Sequence, residues 1–148
     1  MTAEQRYFED VELGDEFDEE AHPTSDDVKA FLGLNPARSG PGDGRFESAE
    51  GARRLGLESP IVPGSMSISI LSRLVTDWMG AEGRLHVLDV SFRRPVQHDD
   101  KLKLHGLVTD SGEEEGSPRV KLDVYIENER GERPLQGPAV VELPHRPS

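Results

Sequence analysis

The sequence predicts a single α+β domain spanning residues 1–148, in which an antiparallel sheet wraps around one central helix. Three observations predict it. Between Gly64 and Met79 the apolar residues Met66, Ile70, Leu71, Leu74, Val75 and Trp78 recur at helical spacing, and only Arg73 and Asp77 are charged. From residue 84 onward the period changes to two, the mark of strands with one buried face. The length of 148 residues suits one core, since a chain of that size buries roughly 70% of its unfolded surface.

The elements follow in order. A short strand is expected from Glu16-Phe17 to about His22, and then a helix from about Ser25 to Leu32, capped by Thr24 or Ser25 and carrying Val28, Phe31 and Leu32 inward. Residues 33–63 are rich in glycine and proline, with one helical turn from Ser48 to Leu55. Loops of that length are commonly functional, which makes this the first place to look for a site. The 64–79 helix is expected to be capped by Gly64 and Ser65, stopped by Gly80, and buried on most sides because it carries so little charge. Leu85 to Phe92 alternates with a phase slip between Val87 and Leu88 that indicates a bulge, and Lys101 to His105 alternates cleanly. Arg119 to Glu127 places Val120, Leu122, Val124 and Ile126 on one face, and Ala139, Val141 and Leu143 complete the set. Asp110–Pro118 and Asn128–Arg133 read as the connecting turns.

Composition excludes several classes of function. Lysine and arginine number 17 against 29 acids, a net charge of −12, and no basic face is segregated. Nucleic-acid and membrane-surface partners are therefore not expected. The absence of cysteine removes disulfides, thiolate nucleophiles and Cys-based zinc sites, and it suits a reducing, cytoplasmic compartment. No signal segment or membrane span is expected, because no window approaches 18 consecutive apolar residues. The five histidines, at 22, 86, 98, 105 and 145, lack metal-ligand spacing, and no phosphate-loop or dinucleotide fingerprint is present. Neither a metal nor a cofactor is expected.

Four local phrases then stand in a telling order: Tyr7-Phe-Glu-Asp-Val-Glu-Leu-Gly-Asp15, Pro60-Ile-Val-Pro-Gly-Ser-Met-Ser-Ile-Ser69, Val90-Ser-Phe-Arg-Arg-Pro-Val96 and Asp99-Asp-Lys-Leu102. In this order the chain resembles the MaoC-like branch of the hotdog superfamily, which includes the (R)-specific enoyl-CoA hydratases and dehydratases. The resemblance covers essentially the whole chain. It implies a hotdog fold, an acyl-CoA or acyl-carrier thioester as ligand, and a dimer through sheet edges whose sites form between protomers.

The family's chemistry resides in a motif of the form G-D-x-N-P-x-H-x-D, whose Asp and His activate water for addition across a thioester-conjugated double bond. Aligning Ala52 with the alanine that follows the motif puts Gly40-Pro-Gly-Asp-Gly-Arg-Phe-Glu-Ser48 on it, so Pro41 takes the Asp position and Phe46 the His position. Neither side chain transfers a proton. Asp43 is either a displaced base or a turn residue of Gly-Asp-Gly, and Glu47 is a further acid nearby. The histidine-glycine step of the family's central helix is here Pro63-Gly64, which keeps the glycine whose amide faces the thioester carbonyl. Ser65 is a second donor there or only a cap. Arg45, Arg53 and Arg54 either contact phosphates of the carrier or form a solvated face.

The leading expectation is an acyl-thioester binder, or the non-catalytic half of a two-subunit dehydratase paired with a dyad-bearing hotdog subunit. The alternatives are an active hydratase or thioesterase using Asp43 or Glu47, and a structural dimer without ligand.

Overall fold

A computed structural model describes residues 4–34, 44–46 and 48–148. The described elements are, in order, a short 3-10 turn Phe8–Asp10, β1 (Glu16–Ala21), α1 (Ser25–Gly33), α2 (Ala49–Arg54), α3 (Gly64–Met79), β2 (Arg84–Leu88), β3 (Ser91–Phe92), β4 (Leu102–Glu114), β5 (Ser117–Glu127) and β6 (Leu135–Glu142). All six strands belong to one antiparallel sheet in the order β1-β4-β5-β6-β2, with β3 also pairing to β6. Against its inner face lies α3, as the sequence predicts.

The core is built from the two periodicities. Leu71, Leu74, Val75 and Trp78 of α3 meet Leu104 and Val108 of β4, the β5 row Val120, Leu122, Val124 and Ile126, and Leu135, Ala139 and Val141 of β6, all buried. Phe17 of β1 closes the open edge by stacking on Trp78, with centroids 4.6 Å apart. Gly106 of β4 makes this possible, because a Cβ there would stand 2.2 Å from the Phe17 ring. Arg6 covers the other side of the indole at 4.9 Å and donates to the Trp78 carbonyl.

Caps and turns set the element ends. Thr24 caps α1 by accepting from the Asp27 amide, and Asp27 reciprocates by accepting from the Thr24 amide. Ser48 caps α2 through the Gly51 amide. At α3 the cap is Pro63, without a side-chain bond, and not the expected Gly64 and Ser65. A second expectation is corrected: α3 is buried along one stripe, while Ser65, Ser69, Arg73, Thr76 and Asp77 are exposed in this chain. The low charge misled because Ser69, Ser72 and Thr76 donate to carbonyls three or four residues back, so this face is polar without being ionised.

The Asp110–Pro118 turn is also corrected. Strand β4 runs on to Glu114 and pairs with β5 as far as Ser117, leaving only Glu115 and Gly116 in the turn, at φ 53° and 81°. Two positive φ values in a two-residue loop give the tight hairpin whose twist matches its strands. Its distal part extends beyond the core, so its residues are polar and show no alternation to read. The bulge lies between Leu85 and Val87, earlier than expected, and the strand breaks before β3. At that break the Asp89 carbonyl crosses β6 where Gly137 has no side chain, since a Cβ there would lie 2.1 Å from it.

The segments Phe8–Asp10 and Pro144–Arg146 are clasped together. Phe8 donates its amide to the Pro144 carbonyl, at 2.9 Å. The His145 ring bridges Glu9, at 2.6 Å, and Glu113 of β4, at 2.9 Å, and Arg146 pairs with Asp10. The hydrogen bond to Glu9 raises the His145 pKa above its ordinary 6.5. Bonds from the Arg146 amide and from His145 lower that of Glu9 below 4.5.

Two predictions follow from this packing. Gly106→Ala presses a methyl group into the Phe17 ring and is expected to destabilise by about 1–3 kcal/mol in urea unfolding, the usual cost of overpacking; an unchanged midpoint would contradict the stack. The raised His145 pKa makes its contribution complete below 6.5 and lost as pH rises through the folded value. The lowered Glu9 pKa makes its own contribution complete above 4.5 and lost as pH falls through the folded value. The thermal midpoint gap between the parent and His145→Ala should therefore be widest between pH 4.5 and 6.5 and shrink on the alkaline side; a gap independent of pH counts against the clasp.

Candidate functional site

The segment leading into α3 is stitched in place on two sides. Ile61 donates to the Arg45 carbonyl at 2.9 Å, Val62 to the Val96 carbonyl at 2.7 Å, and Ile61 bridges to Gln97. Pro63 then starts the helix with its fixed φ, here −56°. Ser67 is the first α3 residue to donate backward, to Pro63 at 3.0 Å. The amides of Gly64, Ser65 and Met66 have no acceptor among the described residues, and no acid stands in the first turn to occupy the positive end of the helix dipole.

Beside this helix start lies a groove of about 420 Å³. Ile61, Val62, Val96 and Leu135 supply apolar lining, Phe46 and Phe92 aromatic lining, and Arg45, Arg93 and Arg94 its cations. Gly64 and Ser67 open onto it from α3. The size and the apolar lining with few polar groups suit a small-molecule site. A larger depression of about 520 Å³ lies among Glu20, Lys101, Lys103, Glu127 and Glu129, but no residue of α3 lines it. The groove is the better candidate because a helix terminus with free donors opens into it.

Gly64 is needed for a close approach. A Cβ there would meet the edge of the Phe92 ring at 3.3 Å, so this half-exposed aromatic lies directly over the helix start. Ser67, 2% exposed, sits one turn further along.

The structure brings together some of the residues singled out in the sequence. Arg45, Phe46 and Gly64 share the groove, whereas Ser65 is exposed and outside its lining. Arg53 and Arg54 lie on α2 outside the lining, and Arg54 pairs with Glu50 at 3.1 Å. Pro41, Asp43 and Glu47 fall outside the described residues. Sequence reasoning missed Ser67, Phe92, Arg93 and Arg94, which enter the site only when β3 folds back beside α3. The Phe-Arg-Arg-Pro run at the end of an alternating segment was the available signal.

Among the described lining residues there is no Asp, Glu, His, Lys, Tyr or Cys. Every histidine is engaged elsewhere: His22 with the Asp99 carbonyl, His86 with Glu142, His98 with Ser25, His105 with Asp18 and Glu16, and His145 in the terminal clasp. Glu19 has a carboxyl pKa raised above 4.5, chiefly by burial and then by its neighbour Asp77. Asp77 stands thirteen residues along α3 from Gly64, about 20 Å at 1.5 Å per residue, too far to serve the groove. No cluster of metal-ligating side chains occurs among the described residues, and none of their helices is long and apolar enough to cross a membrane.

The MaoC like domain family matches residues 48–129. The chain belongs to that family. Among solved structures, this MaoC-like chain is similar to the (R)-hydratase from A. caviae involved in PHA biosynthesis, at 25% identity and TM-score 0.77 over 90% of this chain and 98% of that one. It is similar in fold to the unliganded R-hydratase PhaJ1 from Pseudomonas aeruginosa, at 19% identity and TM-score 0.81 over 95% and 86% of the two chains. The ChsH1-ChsH2 complex from Mycobacterium tuberculosis is a further relative in fold, at 17% identity and TM-score 0.73 over 92% and 99%. The search of curated proteins returned no match.

The Gly64 contact is directly testable. In Gly64→Ala the Phe92 ring must give by a few tenths of an ångström, so its ring proton shifts should move in NMR spectra while circular dichroism stays unchanged. Unmoved Phe92 resonances would show that the ring does not lie over the helix start.

Proposed function

We propose that this MaoC-like protein binds acyl thioesters without hydrating them, either alone as a homodimer or as the non-catalytic half of a two-subunit dehydratase whose partner supplies the Asp/His dyad. The observation that carries the reading is the composition of the groove: open helix-terminal amides beside an apolar wall, with no proton-transfer group among the described lining residues. The Gly64 amide suits a thioester carbonyl, which gains partial negative charge when polarised. Phe46, at the aligned histidine position, presents a ring where the attacking water would stand. The aligned aspartate position, Pro41, carries no acid, and the family match begins at Ser48, the last position of the aligned stretch.

Two of the proteins similar in fold support the heteromeric form by their own assembly, the ChsH1-ChsH2 complex and the HadBC (3R-hydroxyacyl-ACP dehydratase) complex from Mycobacterium tuberculosis. In a site shared between protomers, a subunit without a dyad still supplies groove and carbonyl donor. An open edge at β2, with Val87 exposed, gives such a partner a row of amides to pair with.

The isolated protein should bind butyryl-CoA in calorimetry yet hydrate crotonyl-CoA no faster than background, because losing a positioned acid and base forfeits about 100- to 10,000-fold in rate. Activity is expected only with a dyad-bearing partner, or after Pro41→Asp with Phe46→His. Turnover by the unmodified protein that Asp43→Asn or Glu47→Gln abolishes would overturn the proposal in favour of a displaced base, and absence of any thioester binding would leave a purely structural dimer.

A further inference from the structure

The groove holds more positive charge than a neutral ligand needs. The amides of Gly64, Ser65 and Met66 lack acceptors among the described residues, Pro63 as the cap offers no side-chain oxygen, and the first turn of α3 carries no acid. Such a terminus is equivalent to about half a positive charge. Arg93 adds a whole one, since it lines the groove and makes no side-chain hydrogen bond or ion pair among the described residues. Arg94 differs, because Glu132 already holds it at 3.1 Å. No described lining residue carries a carboxylate that would neutralise the helix end or Arg93.

A second observation, independent of the helix end, points the same way. Ser67 is 2% exposed and lines the groove, and its hydroxyl has no hydrogen-bond partner among the described residues. Its neighbours on α3 behave differently: Ser69, Ser72 and Thr76 each donate to a helix carbonyl three or four residues back. A buried hydroxyl without a partner costs free energy, and a ligand oxygen beside it removes that cost.

We infer that the groove binds a free aliphatic carboxylate, whose oxygens are shared among the α3 amides, the Ser67 hydroxyl and the Arg93 guanidinium, with its chain laid against Val62, Val96 and Leu135. The inference goes beyond the thioester reading, since it shares that groove and not that ligand. A thioester carbonyl is neutral in its ground state and gains negative charge only as a reaction proceeds. Where no described lining group moves a proton, that charge does not develop, and the positive groups are matched by a ligand that is already an anion. A carboxylate is planar like the carbonyl, and its two oxygens accept from amide, hydroxyl and guanidinium donors together. A bare inorganic anion would leave the apolar wall uncovered.

Calorimetry on the full chain tests this with three probes: hexanoate, hexanamide, which has the same shape without the charge, and hexanoyl-N-acetylcysteamine, a neutral thioester. Hexanoate is expected to bind at least about tenfold tighter than hexanamide. Arg93→Ala should weaken hexanoate binding about tenfold and flatten its salt dependence, while hexanamide binding stays unchanged. Ser67→Ala should also weaken hexanoate binding about tenfold, the usual loss for a hydrogen bond to a charged group. Thermal midpoints serve as the folding control, and Arg93 is exposed, so its variant reads the site even where the buried Ser67→Ala fails to fold.

Hexanamide bound as tightly as hexanoate would overturn the inference, because the charge would then count for nothing. Hexanoate affinity unchanged in both folded variants would overturn it as well, by removing the groups that hold the anion. Binding of the thioester without binding of hexanoate would overturn it and leave the thioester reading standing. Charge-dependent, Arg93-dependent binding of hexanoate without binding of the thioester would support it and overturn the thioester reading.

Discussion

Everything in this molecule depends on one packing constraint: the buried stripe of α3 must lie against the single apolar face of the sheet. Leu71, Leu74, Val75 and Trp78 fill the space over β4, β5 and β6. A fully buried side chain of this size is worth about 1.5–3 kcal/mol by area, so the helix cannot rotate without exposing several such groups at once. With rotation fixed, the direction of the helix axis is fixed too, and so is the place where its free amides emerge. The groove is therefore a consequence of core packing, completed by backbone bonds from Ile61 and Val62 to the segments on either side.

Electrostatics acts on a different scale. A chain with 29 acids has a surface field that repels anions, yet a groove lined by arginines needs only a local reversal of sign. Arg45, Arg93 and Arg94 supply it, in a lining whose described residues include no carboxylate, while Glu132 orients Arg94 from outside. Glu132 is shared between Arg94 and Arg130, so two arginines are held for one acid. The cations at the groove thus coexist with an acidic protein because Arg94 is held by Glu132 close at hand, and distant acids are screened over about 8–10 Å at ordinary salt.

The fold was legible because its signal is local and periodic. Val120 to Ile126 alternates and α3 repeats at helical spacing, so the sheet, the helix and even the α1 cap, as one of Thr24 and Ser25, could be read directly. What failed to read was structure without a core beneath it. The distal hairpin from Ser111 to Ser117 has polar residues on both faces, so its pairing rests on backbone bonds and on a turn at Glu115-Gly116, neither of which leaves a pattern of hydrophobicity. The site was legible only in part. Gly64 and Phe46 lie on the segments that form it, whereas Phe92, Arg93 and Arg94 come from 28 to 30 residues beyond Gly64 and reach the groove through the pairing of β3 with β6.

On the proposed reading, binding and chemistry rest on different elements of this scaffold, so that one can persist without the other. The carbonyl donors belong to α3 and the apolar wall to segments tied to the sheet, so changing either disturbs the core. The residues aligned with the dyad lie between Gly40 and Ser48, on a connection whose described part, Gly44 to Phe46, accepts hydrogen bonds from Ile61 at the Arg45 carbonyl and from Ser48 at the Gly44 carbonyl. Connections as a class tolerate substitution better than the elements they join. On the proposed reading, Pro41 and Phe46 are changes of this tolerated kind: they remove proton transfer while the helix terminus, its glycine and the groove stay where the core holds them. Phe46 even gains from its position, since its ring packs against the core that the groove borders. A side chain with that role is favoured by packing, whereas an imidazole there would have to be kept partly solvated and oriented by a second polar group.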